Sequence, residues 1–193
     1  MARDMHIPTA AISHYRLFPT AFGVCGVAWT EHGLSRVQLP ERDACATEKC
    51  LRDRKAVHWD AEPPPRLAEC IAMLQRYSEG IATDLRVVEL DQHGLSDFNR
   101  QVYRALRDVG FGQTTTYGAL AKKVSTPNSA RAVGTAMSRN PWPIVVPCHR
   151  VLAAAQKIGG FSAFGQAATK RHLLRLEGVE LSDDLPVLPG LFS

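Results

Sequence analysis

Pro141-Trp142-Pro143-Ile144-Val145-Val146-Pro147-Cys148-His149-Arg150-Val151 is an apolar run, punctuated by prolines, that delivers a cysteine, a histidine and an arginine in succession. Its β-branched content reads as a strand. A structural cysteine in a core seldom has two polar neighbours, because each would need a buried partner. A nucleophilic cysteine benefits from basic or cationic neighbours, which favour thiolate over thiol. Adjacent residues need not meet through their side chains, so the triplet alone leaves the Cys148–His149 pairing to geometry.

Upstream the chain is helical. Asp97 is placed as the N-cap of a helix over Phe98–Val109, with Phe98, Val102, Leu106 and Val109 on one face. Gly110-Phe111-Gly112 breaks it. Thr116 can cap a short helix holding Tyr117, Leu120, Ala121 and Val124. Ser125-Thr126-Pro127 then turns the chain, and Asn128 or Ser129 caps another short helix with Ala130, Val133, Ala136 and Met137. This is a helix-turn-helix pattern, although many helical hairpins bind nothing. In its second helix Ala130, Ala132, Gly134, Thr135 and Ala136 are small, and Arg131 is the long side chain near the start. Such a face serves either tight packing on a neighbouring helix or close approach to a surface with Arg131 projecting.

Charge separates the two halves. Residues 1–97 carry 11 Lys/Arg against 14 Asp/Glu, residues 98–177 carry 12 against 2, and residues 178–193 carry 0 against 3. A net charge of +4 over 193 residues therefore conceals a strongly basic segment. That segment fits a polyanion partner, and equally a solvated basic surface. With 45% hydrophobic and 22% charged residues, disordered and fibrous classes are excluded.

In the first half, Tyr15–Phe18, Phe22–Trp29 and Leu34–Leu39 read as an antiparallel meander. Glu41–Asp60 is polar, a helix or a loop. After Pro63-Pro64-Pro65, Leu67, Cys70, Ile71, Leu74 and Tyr77 recur at helical spacing up to Gly80. Leu85–Leu90 reads as another strand and Asp91–Gly94 as a linker. No apolar run reaches a membrane span, and Met1–His6 is too polar for a secretory signal. Five cysteines without a regular framework suit a reducing, cytoplasmic setting. Cys25, His32, Cys45 and Cys50 lack metal-ligand spacing, so no metal and no cofactor is expected, and Cys70 reads as core.

The run from Phe98 to Glu177 resembles the O6-alkylguanine-DNA alkyltransferases, also called methylated-DNA–protein-cysteine methyltransferases. The resemblance lies in Phe98–Val102–Tyr103–Leu106, in Gly112 to Ala121, in Ala130-Arg131-Ala132-Val133-Gly134 and in Asn140-Pro141. It continues through Pro147-Cys148-His149-Arg150-Val151, Gly159-Gly160-Phe161-Ser162, Lys170 and Leu173 to Gly178. It implies an α/β chain with three parts. Residues 1–93 would hold a small antiparallel sheet with helices (ribonuclease H-like), 94–181 a mostly helical domain with the helix-turn-helix (winged-helix-like), and 182–193 a tail.

The resemblance also implies irreversible, single-turnover transfer of an alkyl group from O6 of guanine, or O4 of thymine, to Cys148. His149 would draw off the thiol proton, through a water, and Glu177 would fix the imidazole tautomer. Tyr117 would protonate the leaving purine. The partner would be double-stranded DNA bound by a monomer, with no membrane. The small-residue helix would enter the minor groove through Ala130, Ala132, Gly134 and Thr135, aided by Thr115 and Thr116, while Arg131 fills the stack left by the flipped nucleotide. Asn140 would be the hinge. Tyr117, Pro143, Val151, Phe161 and Ser162 would form the substrate pocket, with backbone groups of Cys148 and Val151 reading the guanine amine.

Three departures stand out. Phe161-Ser162-Ala163-Phe164-Gly165 puts bulk where the family has glycine, expected at the pocket mouth. Val109-Gly110-Phe111-Gly112 replaces Ile-Pro, and Ala153 to Lys157 lacks the usual turn. Two other classes remain: an alkylated-DNA sensor that transfers nothing, which would lack the reactive cysteine, and a cysteine hydrolase, which would need an oxyanion hole.

Overall fold

A computed structural model describes residues 13–124, 130–153 and 157–180. The turn and the caps assigned to Asn128 or Ser129 lie outside the described residues, as do Met1–His6, Ala154 to Gln156 and the 182–193 tail.

The alternating N-terminal runs form β1 (His14–Thr20), β2 (Gly23–Thr30) and β3 (Gly33–Gln38), paired antiparallel as expected. A short β4 (Val57–His58) joins the outer side of β1 in parallel, giving the order β3-β2-β1-β4. Pro19 lies inside β1, beyond the stretch that β4 covers, so its missing N–H breaks no ladder there. The polar stretch after β3 holds α1 (Ala44–Arg52), capped by the Asp43 carboxylate on the Ala46 N–H at 2.7 Å. Helix α2 (Pro65–Ser78) starts on the third proline and buries Leu67, Cys70, Leu74 and Tyr77 against the sheet side of the core. Gly80, at φ +80°, takes the left-handed conformation that ends it.

Two boundaries differ from expectation. Leu85–Leu90 is a 3-10 turn, Leu85–Val87, followed by a single bridge from Leu90 to Leu34. The Arg107 guanidinium donates to the carbonyls of Leu85 (3.0 Å), Arg86 (2.7 Å) and Val88 (2.8 Å), which takes up carbonyls a strand would have paired. Helix α3 (Asp97–Arg107) is capped by Ser96 rather than Asp97, with Ser96 Oγ accepting from the Asn99 N–H at 3.2 Å.

Beyond α3, β5 (Thr115–Thr116) pairs in parallel with β6 (Val151–Leu152). Thr116 caps α4 (Tyr117–Lys123) as expected, accepting from the Ala119 N–H at 3.1 Å. Helix α5 (Ala130–Ser138) and α6 (Ala167–Leu176) complete the described elements. Buried apolar residues of both halves, from Phe18 to Leu173, form one continuous cluster. A second, small cluster joins Tyr15 and Ala28 to Leu51 of α1. The whole is a mixed α/β fold with a small sheet and six α-helices among the described residues.

Candidate active site

The segment before Cys148 is not the strand expected of it. Residues 141–146 fold as consecutive turns, and Cys148–Arg150 is a 3-10 turn. Three prolines remove ladder donors, and Ile144 adopts φ +73°, a conformation costly for a β-branched residue by about 1–3 kcal/mol. Surrounding bonds hold it. The Val37 N–H donates to the Pro141 carbonyl at 2.9 Å, and the Trp142 indole donates to the Leu34 carbonyl at 2.7 Å. Strand β3 thus anchors the turn that carries the cysteine.

Asn140 organises the same turn from within. Its Oδ1 accepts from the Trp142 N–H at 3.0 Å, which fixes the orientation of the amide. Its Nδ2 then donates to the Val146 carbonyl at 2.8 Å and to Cys148 Sγ at 3.2 Å. The residue expected as a hinge bonds to nearby backbone and also touches the sulfur.

His149 is fully buried, and its Nε2 lies 2.7 Å from Glu177 Oε1. Glu177, just past the end of α6, collects further donors. Arg150 Nε reaches Oε2 at 2.9 Å and Arg150 Nη2 reaches Oε1 at 2.9 Å. The Tyr77 hydroxyl donates to Oε1 at 2.5 Å and the Gly112 N–H to Oε2 at 3.1 Å. Burial by itself would raise this carboxyl, but the bonds from His149 and Arg150 and the guanidinium charge outweigh it and hold the pKa at about 2. Glu177 is an anion throughout the working range. Burial keeps His149 below its ordinary pKa and hence neutral, against the opposite pull of Glu177. With Nε2–H directed at a carboxylate, Nδ1 carries the lone pair, and Nδ1 is buried without a protein hydrogen-bond partner. The imidazole is arranged as a base.

The sulfur itself rests as a thiol. Burial raises Cys148 above the ordinary thiol range, opposed by the Asn140 hydrogen bond and the Lys170 charge. Arg150, the cationic neighbour in sequence, turns away from the sulfur: its guanidinium is engaged by Glu177 and by the Val109 carbonyl at 2.5 Å. The cation coupled to the sulfur is Lys170. It is 0% exposed, donates to the Val151 carbonyl at 2.6 Å and lies 5.9 Å from the Tyr117 ring centroid. Burial lowers its pKa to about 8.

Cys148, Asn140, Pro143, Phe161, Ser162 and Ala163 line a cavity of about 440 Å³. Its other wall comes from the N-terminal half: Arg36, Gln38, Glu41, Cys50, Asp53 and Arg54. Val151 is fully buried, and Tyr117 is half-buried against Gly159, where a Cβ would lie 2.9 Å from the Tyr117 ring. Neither lines the cavity. Phe164, expected at the pocket mouth, is 45% exposed and also off the lining. A larger cavity, about 810 Å³ between β2, β3 and α2, contains none of these groups.

On α5, Ala130, Arg131, Ala132 and Thr135 are exposed while Val133, Ala136 and Met137 are buried. A Cβ added at Gly134 would meet nothing within 4 Å, so that position faces open space. Thr115 and Thr116 are partly buried in β5. The Tyr77, Arg150 and Lys170 roles and the N-terminal wall were not read from the sequence. Arg150 had a signal in the Cys-His-Arg triplet and Lys170 in the family likeness, but neither carried a role. Among the described residues no group of three or more His, Cys, Asp or Glu side chains is gathered as a metal site, and no helix is long and apolar enough to cross a membrane.

Comparison with known proteins agrees with this geometry. Residues 97–179 match the family model for the 6-O-methylguanine DNA methyltransferase DNA binding domain. The methylated-DNA–protein-cysteine methyltransferase of Mycobacterium tuberculosis is 33% identical over 172 residues, 89% of this chain and 96% of that protein. The mouse protein of that name is 35% identical over 178 residues, covering 86% and 81%. A crystal structure of Mycobacterium tuberculosis OGT in complex with DNA superposes with a TM-score of 0.69 at 32% identity, covering 85% of this chain and 92% of that one. On these grounds the chain belongs to the methylated-DNA–protein-cysteine methyltransferase family.

Proposed function

We propose that this chain repairs DNA by moving an alkyl group from O6 of guanine, and from O4 of thymine, onto its own Cys148. The observation that carries the reading is Cys148 Sγ at a cavity wall, held there by Asn140 and followed in the chain by a buried His149 that Glu177 orients from the side away from solvent. The sulfur attacks the alkyl carbon as the bond from that carbon to O6 breaks. The thiol proton passes through a water to His149 Nδ1, and Tyr117 donates a proton to the purine as it leaves. A thioether has no labile bond, so each molecule reacts once.

Residues 1–93 and 94–181 act as two units, ribonuclease H-like and winged-helix-like, with 182–193 as a tail. The monomer binds double-stranded DNA in the cytoplasm, a setting in keeping with its five free cysteines. The small-residue face of α5, with Thr115 and Thr116, lies in the minor groove, and Arg131 enters the stack as the nucleotide leaves it. Pro143, Phe161 and Ser162 hold the extruded base, backbone groups of Cys148 and Val151 read its amine, and Asn140 joins the two parts of the domain.

Intact-mass and peptide analysis after mixing with O6-methylguanine DNA should find one methyl group on Cys148. Cys148→Ala should abolish transfer and keep DNA binding. Transfer persisting in that variant would reject the reading.

A further inference from the structure

Tyr77 sits at the end of α2, outside the segment that matches the DNA-binding family model, yet its hydroxyl touches the catalytic pair. It is fully buried, and three aromatic edges fix its ring: Phe22 at 6.3 Å, Phe111 at 5.9 Å and His149 at 6.3 Å between centroids. A phenylalanine would pack equally well there. The hydroxyl therefore has another use, because a buried O–H is retained against its desolvation only through its bonds.

Those bonds go to two atoms. The phenol proton goes to Glu177 Oε1 at 2.5 Å, and the phenol oxygen lies 3.2 Å from His149 Nε2. Nε2 thus faces two oxygens, both of which can accept from it. A lone pair at Nε2 would be repelled by the carboxylate and would leave the phenol oxygen unmatched, so the proton resides on Nε2 and Nδ1 is left as the base. Burial and the Glu177 charge push the Tyr77 pKa well up, so the phenol remains a neutral donor.

We infer that Tyr77 is a positioning residue for alkyl transfer, contributed by the N-terminal half, which locks His149 in the Nε2–H tautomer and moderates the basicity of Glu177. This rests on the alkyl-transfer reading above. The groups facing His149 are Glu177 and Lys170 at α6, Arg150 and Cys148 beside it in the chain, and Tyr77 from α2. Without the phenol, Glu177 loses a donor and holds an imidazolium more firmly. His149 then protonates at higher pH, and a protonated Nδ1 cannot take the thiol proton.

The test is the single-turnover rate with free O6-benzylguanine from pH 5 to 9, for the unaltered protein and Tyr77→Phe. The acid limb of the profile should move up by about half a pH unit or more in the variant, with a rate loss that deepens toward low pH. An unmoved limb, or a loss equal at all pH values, overturns the proposal. Should Tyr77→Phe fail to fold, proton and nitrogen-15 spectra of the unaltered protein decide: a His149 Nε2–H together with a Tyr77 hydroxyl proton protected from exchange supports the lock, and Nδ1–H, or a Tyr77 hydroxyl proton exchanging freely with water, overturns it. No transfer in the unaltered protein would instead defeat the underlying reading, which separates the two failures.

Discussion

Glu177→Gln is the perturbation to which this fold should respond most sharply. Glu177 is 5% exposed and accepts five bonds, two of them from one guanidinium. Glutamine replaces one acceptor oxygen with an NH2 group directed at those donors, and leaves Arg150 a buried cation without an anion. Two routes give the magnitude. A folded pKa of about 2 against the ordinary 4.5 corresponds to about 3 kcal/mol. Breaking one side of a buried ion pair costs about 3–5 kcal/mol.

For a chain of this size that range lowers Tm by about 6–20 °C at pH 7. The sign with pH follows from a depressed carboxyl: its contribution is complete above the unfolded pKa near 4.5 and fades as pH falls toward about 2. His149, also depressed, adds acid lability beginning below its ordinary 6.5. The gap between unaltered protein and variant should therefore be widest near neutrality and narrow from pH 4.5 downward. Urea melts at pH 7, 5, 4 and 3 measure it, and transfer should also fall by about 10²–10⁴-fold as the base loses its orienting anion. A gap below about 1 kcal/mol at pH 7, or one that does not change with pH, would refute the reasoning.

Arg131→Ala should slow repair of duplex substrate far more than reaction with free O6-benzylguanine, because only the duplex requires extrusion; equal losses in single-turnover assays would remove the intercalating role. Lys170→Met should separate stability from activity. The buried ammonium, whose pKa is about 8 against 10.5 ordinarily, opposes folding below pH 8 and less so as pH rises toward 10.5. The methionine variant should thus melt no lower at pH 7 while transferring about tenfold more slowly, one thiol pKa unit being a tenfold loss of thiolate. Parallel loss of both would count against it.

What could be read in the sequence was local. The apolar run Phe22–Trp29, which pairs with its neighbour β1 across a tight turn, the helical spacing from Leu67 to Tyr77 and the Thr116 cap all rest on partners near in the chain. The misreadings share the opposite property. Ile144–Val146 resembles a strand by composition, but its conformation is set by Asn140 within the turn and by β3 outside it. Leu85–Leu90 is shaped by Arg107, about twenty residues on. At the site, Cys148 and His149 were visible because they are adjacent, and Glu177 came only from family likeness. Tyr77, 100 residues from Glu177 along the chain, looked like any apolar position on a helix face. The Arg36 to Arg54 wall of the cavity carries no motif at all.

The resting charge state explains why a suicide nucleophile is tolerable. A free thiolate at a cavity mouth would alkylate or oxidise indiscriminately, since reactivity follows thiolate character. Here burial holds Cys148 protonated and His149 neutral, while the permanent charges, Glu177 and Arg150, neutralise each other behind them. Ionisation of the sulfur becomes favourable only when a base accepts its proton and Lys170 supplies the nearby cation. An enzyme that must regenerate gains from a permanently poised nucleophile, whereas a protein consumed by one reaction gains from one that activates only with substrate in place. On this reasoning, agents that need a preformed thiolate, such as iodoacetamide at pH 7, should label Cys148 more slowly than exposed Cys45, even though Cys148 is the residue proposed to take the alkyl group. Faster labelling of Cys148 would show that the sulfur is already ionised at rest.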